Sequence, residues 1–212
     1  MARSIPYTNF GRTRQKAHTR DALIAATHAL IAQGMTPTVE DAATRAKISR
    51  ATAYRYFANQ RALLLAAHPR IDRQTLLGAH PPRDPAARLD AAIDEFLRIT
   101  VETEPQLRVA LRVSLDGESD RSDPSLRRAS AWIEDALAPL RGPLSHQELR
   151  RLALAIRSAV GIEALVWLVD VAHLSRAQAV DVMKWSARAL LRTAMAERKR
   201  PHPKKRPGRK QL

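Results

Sequence analysis

The sequence predicts an all-α fold, and three observations support this prediction. Apolar residues recur at a spacing of three to four, as in the run from Leu23 to Ile31, and this spacing is typical of a helix with one buried face. Ser, Thr or Asp stands where several of these runs begin, and these residue types cap helix N-termini. Segments rich in Gly and Pro, such as residues 78–83, separate the runs and indicate loops.

The composition limits the size of the protein and the class of its partner. The chain has 212 residues, of which 45% are hydrophobic, so it is long enough for one large domain or two small ones with a core. Its formal net charge of +15 favours a polyanionic partner, either nucleic acid or an anionic membrane surface. The longest run without a charge, from Ala22 to Val39, contains Gly34 and Pro37, whereas a membrane span needs about 20 apolar residues in succession.

Neither the N-terminus nor the cysteine content indicates secretion. The first ten residues lack the apolar segment of a secretory signal. The chain has no Cys, which excludes disulfides and thiolate metal sites and agrees with a reducing compartment. We therefore expect a soluble, cytoplasmic protein without contact with a membrane.

The N-terminal segment is basic and is followed by the first predicted helix. Five Lys or Arg and no acid occur up to Arg20, and we predict that residues 1–15 form a disordered basic arm. Such an arm can lie along a phosphate backbone or enter a minor groove, although a solvated tail would have the same composition. A helix is predicted from Lys16 to Gln33, with Gly34 as its C-terminal cap.

The stretch from Thr38 to Phe57 is the one around which the rest of the chain is organised. Thr38 is a good N-cap for a short helix with acids in its first turn, and Ser49 is a second N-cap that follows after a tight turn. Two short helices joined in this way are a helix-turn-helix. An ordinary α-helical hairpin in a helical protein has the same signals.

The second of these helices exposes donors and few acids. Its predicted exposed residues are Arg50, Ala51, Thr52, Tyr54, Arg55 and Tyr56. Such side chains reach phosphates and base edges, so the composition suits a DNA major groove. Arg50 is the predicted guanine contact, because its guanidinium fork matches O6 and N7.

The remainder of the chain predicts further helices. A fourth helix is predicted from Arg61 to about Leu77, with a break at Pro69, and a fifth begins at Asp84-Pro85. Shorter helices follow up to Gly117 and from Asp123 to about Leu140, separated by a loop over residues 117–123. Ser145 caps a long helix, and Ser175 caps the last one, from Arg176 to about Glu197.

The segment from Leu152 to Leu174 is the most apolar part of the chain. A helix that is apolar on most sides must be covered on most sides, and a second subunit is the simplest cover. The basic tail, residues 198–212, contains eight Lys or Arg and no acid. We expect it to be disordered, acting as a nonspecific phosphate clamp or only as a solubilising end.

Motifs of the common enzymes are missing from the sequence. It contains no phosphate-binding G-x-x-x-x-G-K-[ST], no G-x-G-x-x-G, no H-E-x-x-H and no G-x-S-x-G, and no two His are spaced as metal ligands on a helix. We expect no catalytic residue, no metal and no cofactor. Candidate ligand-binding side chains are Arg112, Trp132, Glu163 and Trp167, although core packing, surface exposure or a charge pair across a dimer interface explains them as well.

Residues from about Thr19 to Ala67 resemble the N-terminal domain of the tetracycline-repressor-like (TetR) family of transcriptional regulators. The resemblance covers an Ala-rich helix ending at Gly34, the segment TVEDAA from Thr38, the segment ISRATAYRYF from Ile48, and NQRAL from Asn59. Two positions depart from the family pattern. Lys47 replaces a turn Gly and must accept its backbone angles, and Gln60 replaces a Lys that contacts phosphate.

The resemblance implies a domain organisation and a function. It implies a DNA-binding domain at residues 16–60 and a helical ligand-binding and dimerisation domain at residues 61–197. The implied protein is a homodimeric, ligand-responsive regulator, most often a repressor, whose partners are a palindromic operator and a small-molecule effector. The DNA contacts that it implies are Thr38, Val39, Arg50, Ala51, Thr52, Tyr54, Arg55, Tyr56 and Gln60.

Two other classes of function stay open at this point. A nonspecific nucleic-acid or nucleoid-binding protein would use the two basic ends. An enzyme would use Glu163 or Arg112 in a pocket of the second domain.

Overall fold

The helices of the protein are defined in a computed structural model, which describes residues 8–69, 71, 73–115 and 124–198, with backbone alone at 8–12 and 124–128. The predicted loop at 117–123 and most of the predicted basic tail lie outside these residues. The α-helices are α1 Thr8–Ile31, α2 Val39–Ala46, α3 Arg50–Tyr56, α4 Gln60–Ala66, α5 Pro85–Glu102, α6 Glu104–Leu115, α7 Pro124–Ala136, α8 His146–Val160, α9 Ile162–Val166 and α10 Arg176–Arg198. No β-strand occurs in the described residues, which confirms the all-α prediction.

The contacts divide the chain into two units, residues 1–72 with 99–123, and residues 73–98 with 124–212. The first unit contains α1 to α4 and α6. Its main core is a cluster of apolar side chains from the first four helices: Leu23, Val39, Ala42, Ala43, Ala53, Phe57 and Leu63. Ala residues at the centre of this cluster let the short helices α2 and α3 approach closely.

Helix α6 packs on the same unit through a smaller cluster. Ile31 of α1 and Leu64 of α4 lie with Val109 and Val113 of α6. Arg61 Nη1 donates to the Val113 carbonyl oxygen at 2.6 Å, so a charged hydrogen bond closes the edge of the apolar contact. The predicted domain boundary between residues 60 and 61 stays a prediction. The contacts of Leu64 and α6 with Ile31 of α1 cross this boundary.

Helices α1 and α4 have other bounds than the sequence predicts. Helix α1 begins at Thr8, so it includes residues of the predicted disordered arm, and it ends at Ile31, two residues before the predicted end at Gln33. Gly34, the predicted cap, has the left-handed φ of 82°. Helix α4 stops at Ala66 and does not continue to Leu77, because Pro69 lacks an N–H and disfavours helical geometry in the residue before it.

The second unit is built from most of α5 with α7 to α10. The aromatic pair Phe96 and Trp132 meets edge to face at 6.3 Å. The largest fully buried side chains among the described residues of this unit are aliphatic or Met: Leu89, Leu97, Ile133, Leu137, Leu140, Ile156, Val160, Leu165 and Met183. As predicted, Ser175 caps α10, with its N–H bound to the Gln178 side chain at 2.9 Å.

The long helix predicted after Ser145 is interrupted at Gly161. Ser145 and Glu148 form a capping box, as the sequence predicts, but Gly161 is extended at φ −80° and ψ 178° and separates α8 from α9. A Cβ at residue 161 would lie 1.8 Å from Arg157 Nη1 and 2.2 Å from Glu163 Oε2. Helix α9 then passes into a π-helical turn at Trp167–Val171.

One segment of the described residues, His146–Val171, is long and apolar enough to cross a membrane by length and composition alone. The break at Gly161 divides this segment, and Leu152, Ile156 and Leu165 on it are buried within the protein. The segment thus contributes one side to the core of the second unit, and one such candidate does not indicate a membrane protein.

Candidate nucleic-acid interface

The interface predicted from the sequence is formed by α2, α3 and the turn between them. Thr38 and Asp41 form a capping box at the start of α2, in which the Thr38 N–H donates to Asp41 Oδ2 at 2.8 Å and the Asp41 N–H donates to Thr38 Oγ1 at 3.1 Å. The Thr38 N–H, together with the Thr38 hydroxyl that donates to the same Oδ2 at 2.7 Å, lowers the pKa of the Asp41 carboxyl. The cap fixes the position at which α2 begins.

The turn depends on the left-handed conformation of Lys47. This residue has φ 56° and ψ 40°, and the following Ile48 N–H returns to the Ala43 carbonyl oxygen at 2.9 Å. The backbone thus adopts the conformation that a turn Gly would favour, as the sequence analysis required of Lys47. The Ser49 side chain then accepts the Thr52 N–H at 3.2 Å, and α3 begins at Arg50.

Helix α3 presents one face to solvent and the other to the core. Ala53 is fully buried in the main core cluster. Arg50, Ala51, Tyr54 and Arg55 are exposed, and Thr52 is half-buried. Tyr56 is also half-buried and packs against the core cluster, so only part of its side chain is open to a partner.

The exposed side chains of α3 are not independent of α2. Glu40 of α2, with 34% of its side chain exposed, forms an ion pair with Arg50 at 2.6 Å between Oε1 and Nη2. The Tyr54 hydroxyl donates to the same Glu40 oxygen at 2.6 Å, and the Arg50 guanidinium lies 5.8 Å from the Tyr54 ring centre. We call Glu40, Arg50 and Tyr54 the Glu40 cluster.

The cluster changes the acidity of two of its members. The Tyr54 hydrogen bond, helped by the Arg50 charge, lowers the pKa of the Glu40 carboxyl. The same hydrogen bond raises the pKa of the Tyr54 phenol. Glu40 therefore stays ionised and Tyr54 stays protonated throughout the neutral range.

Other predicted DNA contacts are held by the protein itself. The Val39 side chain is buried, so the backbone is the part of Val39 that is available to a phosphate. Gln60 Nε2 donates to the carbonyl oxygens of Thr36 and Pro37 at 3.1 and 3.2 Å. It ties the loop before α2 to the first turn of α4.

Basic side chains continue beyond the helix-turn-helix onto α1. Arg14 and Lys16 are exposed, and the Arg20 guanidinium lies 5.6 Å from the ring centre of Phe57, next to α3. The first acidic residue in the chain is Asp21. Arg14, Lys16 and Arg20 thus add positive charge to that of the helix-turn-helix.

The four predicted ligand contacts have different surroundings. Arg112 is exposed in the first unit and donates to Thr36 Oγ1 at 3.4 Å. Trp132 is buried in the second unit, and its indole N–H donates to the Arg73 carbonyl oxygen at 3.0 Å. Trp167 is 58% exposed.

Glu163 is paired with Arg157 at 2.9 Å. Burial raises the pKa of its carboxyl, but the hydrogen bond and the charge of Arg157 outweigh burial, and the net pKa is lowered. An open groove of about 330 Å³ between α8 and α10 is lined by other residues, among them Leu152, Ala155 and Leu190. The side chains predicted to bind a ligand therefore do not line this groove.

Glu40 is a member of this interface that the sequence does not predict. The sequence indicates only an acid in the first turn of α2, because the residues that Glu40 contacts lie beyond the turn. Helical periodicity carries no signal for a contact of this kind.

Comparison with known proteins assigns the domain that contains this interface. Residues 23–67 match the family model described as "Bacterial regulatory proteins, tetR family". The match runs from the second half of α1 to the end of α4 and indicates a DNA-binding transcriptional regulator. No curated protein matches the chain.

Proposed function

We propose, from the tetR-family domain at residues 23–67, that this chain is a ligand-responsive transcriptional repressor that binds a palindromic operator as a homodimer. The observation that carries the proposal is the exposed face of α3. Its side chains project from a helix whose start, turn and buried side are each fixed by named contacts. A rigid element of this kind can present its side chains to a major groove in one register.

The chemistry of that face favours reading of base edges. Arg50 has 73% of its side chain exposed and uses Nη2 for Glu40, so further donors of the guanidinium are available to guanine O6 and N7. Ala51 and the Thr52 methyl group suit contact with a thymine methyl. Arg55, the partly exposed Tyr56 and the backbone at Thr38 and Val39 suit phosphates, whereas Gln60 would have to exchange its present carbonyl partners to do so.

Apolar exposure supports the proposed homodimer. Among the described residues of the second unit, five large apolar side chains are exposed, all of them after Ser145: Leu154, Trp167, Val171, Val182 and Trp185. These residues lie on α8, the π-helical turn and α10, and the first three belong to the apolar segment predicted to meet a second subunit. Large exposed apolar surface of this kind marks interaction sites, and a two-fold pair of heads matches a palindrome.

The contacts of α6 support a route by which an effector would release DNA. Helix α4 ends at Ala66, and no helix occurs among the described residues between it and Pro85, so this part of the chain is not a continuous helical connection from the DNA-binding helices. Helix α6, in contrast, is joined to α4 by the Arg61 hydrogen bond and by Leu64. An effector that favours a different position of α6 would shift the head by its differential affinity for the two states, typically about 1–3 kcal/mol.

The test of the proposal is the effect of Arg50→Ala on DNA binding. The affinity for an operator selected from random duplexes should fall by about 1–3 kcal/mol, with relaxed preference at one position per half-site. Arg141→Ala, a change of the same charge at an exposed residue of the second unit, should leave the preference unchanged. Equal losses on operator and random DNA for Arg50→Ala would contradict base reading and would favour a nonspecific nucleic-acid binder.

A further inference from the structure

Glu40 places a negative charge on the surface that is proposed to face DNA. Its side chain is 34% exposed and lies in the first turn of α2, at the N-terminus that is proposed to contact phosphate. A carboxylate at such a place repels phosphate oxygens. It therefore opposes the attraction that the chain's net charge of +15 exerts on any DNA sequence.

The same carboxylate holds two of the exposed α3 side chains, Arg50 and Tyr54. One oxygen, Oε1, accepts from both Arg50 and Tyr54 at 2.6 Å. Because Arg side chains lose much rotamer entropy when they are ordered, an Arg50 that is already held in the free protein loses less on binding. The guanidinium is held from one side and keeps donors free on the other.

We propose that Glu40 is a specificity-determining residue, which holds Arg50 and Tyr54 for base contact and prevents Arg50 from pairing with phosphate on random DNA. This inference rests on the proposed function. A guanine edge accepts two hydrogen bonds from one Arg in plane, so Arg50 can bind it while Nη2 still contacts Glu40. A phosphate would bring a second anion beside the carboxylate and would be disfavoured.

The experiment measures binding of the full chain to two duplexes, an operator selected from a random library and a shuffled duplex of the same length and composition. Glu40→Gln keeps the shape and the accepting oxygen of the side chain but removes its charge. Glu102→Gln makes the same change of net charge at an exposed residue of α5. Glu40→Asp keeps the charge on a shorter side chain, and circular dichroism checks that each variant is folded.

The expected result is a steeper salt dependence on the shuffled duplex, where a released Arg50 can pair with a phosphate. If the released Arg50 pairs with one more phosphate, the slope of log affinity against log salt concentration should become steeper by about 0.9. Raising the salt concentration fourfold should then weaken DNA binding by Glu40→Gln about threefold more than DNA binding by the wild type. The ratio of operator to shuffled affinity should fall. Glu40→Asp and Glu102→Gln should keep the wild-type slope on the shuffled duplex, and adding Arg50→Ala to Glu40→Gln should remove the extra slope.

Two results would overturn the inference. In one, Glu40→Gln and Glu102→Gln change the shuffled-duplex affinity equally, which is an effect of net charge alone. In the other, the extra slope persists without Arg50. Failure of the proposed function itself looks different, because the wild-type chain would then yield no selected operator and would bind the two duplexes alike.

Discussion

At the scale of the residue, the turn of the helix-turn-helix depends on Lys47 in a conformation that side chains with a Cβ avoid. At φ 56° and ψ 40°, its Cβ lies close to the following carbonyl oxygen, which costs roughly 1–2 kcal/mol. The capped helices on both sides hold the residue there, since Thr38 starts α2 and Ser49 starts α3. The family resemblance located this position, because Lys47 stands where the family usually has a turn Gly, whereas the cap at Ser49 indicated only that the turn is short.

Lys47→Gly is expected to stabilise the DNA-binding head. Gly adopts these angles without the Cβ penalty but loses more backbone entropy on folding, so the net gain in the free energy of unfolding should be about 0.5–1 kcal/mol. Urea unfolding followed by circular dichroism measures this gain. Lys47→Ala removes the same charge and keeps the Cβ, so an equal gain in Lys47→Ala would show that charge, not backbone strain, is responsible.

At the scale of the element, α4 is attached to α1 through its C-terminus. His28 of α1 lies with Nε2 2.7 Å from the Ala67 carbonyl oxygen, in the last turn where carbonyl groups lack helical partners. Leu63 and Leu64 of α4 are buried in the two core clusters of the first unit. The histidine thus fixes the end of the helix that carries these side chains.

His28→Ala is expected to lower the free energy of unfolding by about 1 kcal/mol, because the Ala67 carbonyl loses its side-chain partner. His18 lies on the same helix and is exposed, so His18→Ala is the matched control and should have almost no effect. Chemical unfolding of the three proteins under the same conditions measures the difference. If the two variants unfold alike, the contact contributes nothing to the attachment of α4.

Elements also show where prediction from sequence succeeds and where it stops. Helix starts at Thr38, Ser49, Ser145 and Ser175 were predicted because a cap is formed within three residues of its helix. The predicted length of α4 is wrong. Pro69 predicts a break, but the apolar residues beyond it suggest a helix that continues.

Gly161 and Glu40 show a second limit. At the break, the Arg157–Glu163 pair occupies the space that a Cβ on residue 161 would need. The role of Glu40 depends on partners beyond a turn. Both are contacts in three dimensions between residues whose spacing in sequence carries no periodic signal.

At the scale of the whole molecule, the proposed homodimer would cover the exposed apolar side chains that the described residues carry after Ser145. Trp185 is 64% exposed and Trp167 is 58% exposed. Burial of such side chains against a second subunit would be worth about 25 cal/mol for each Å² of apolar surface. Aromatic residues are also frequent at the energetic centre of interfaces.

Trp185→Glu is expected to dissociate the proposed homodimer, since it places a charge in the interface and removes an aromatic contact. The dissociation constant should rise by about 30-fold or more, the effect of losing a contact worth about 2 kcal/mol. Sedimentation velocity at micromolar concentration distinguishes a dimer from the 23.6 kDa chain. Met35→Glu, at an exposed apolar residue of the first unit, is the control, and a wild-type protein that sediments as a monomer would contradict the dimer itself.

The measurement that tests the account most directly is selection of binding sites by the full chain from a library of random duplexes, followed by footprinting on the selected sequence. Two heads on one two-fold axis predict a palindromic consensus. Its half-sites should lie about 34–36 Å apart, or a multiple of that distance, with a guanine whose preference is lost in Arg50→Ala. Selection that yields no consensus, with uniform protection along any duplex, would contradict an operator-binding regulator and would leave only nonspecific attraction by the basic chain.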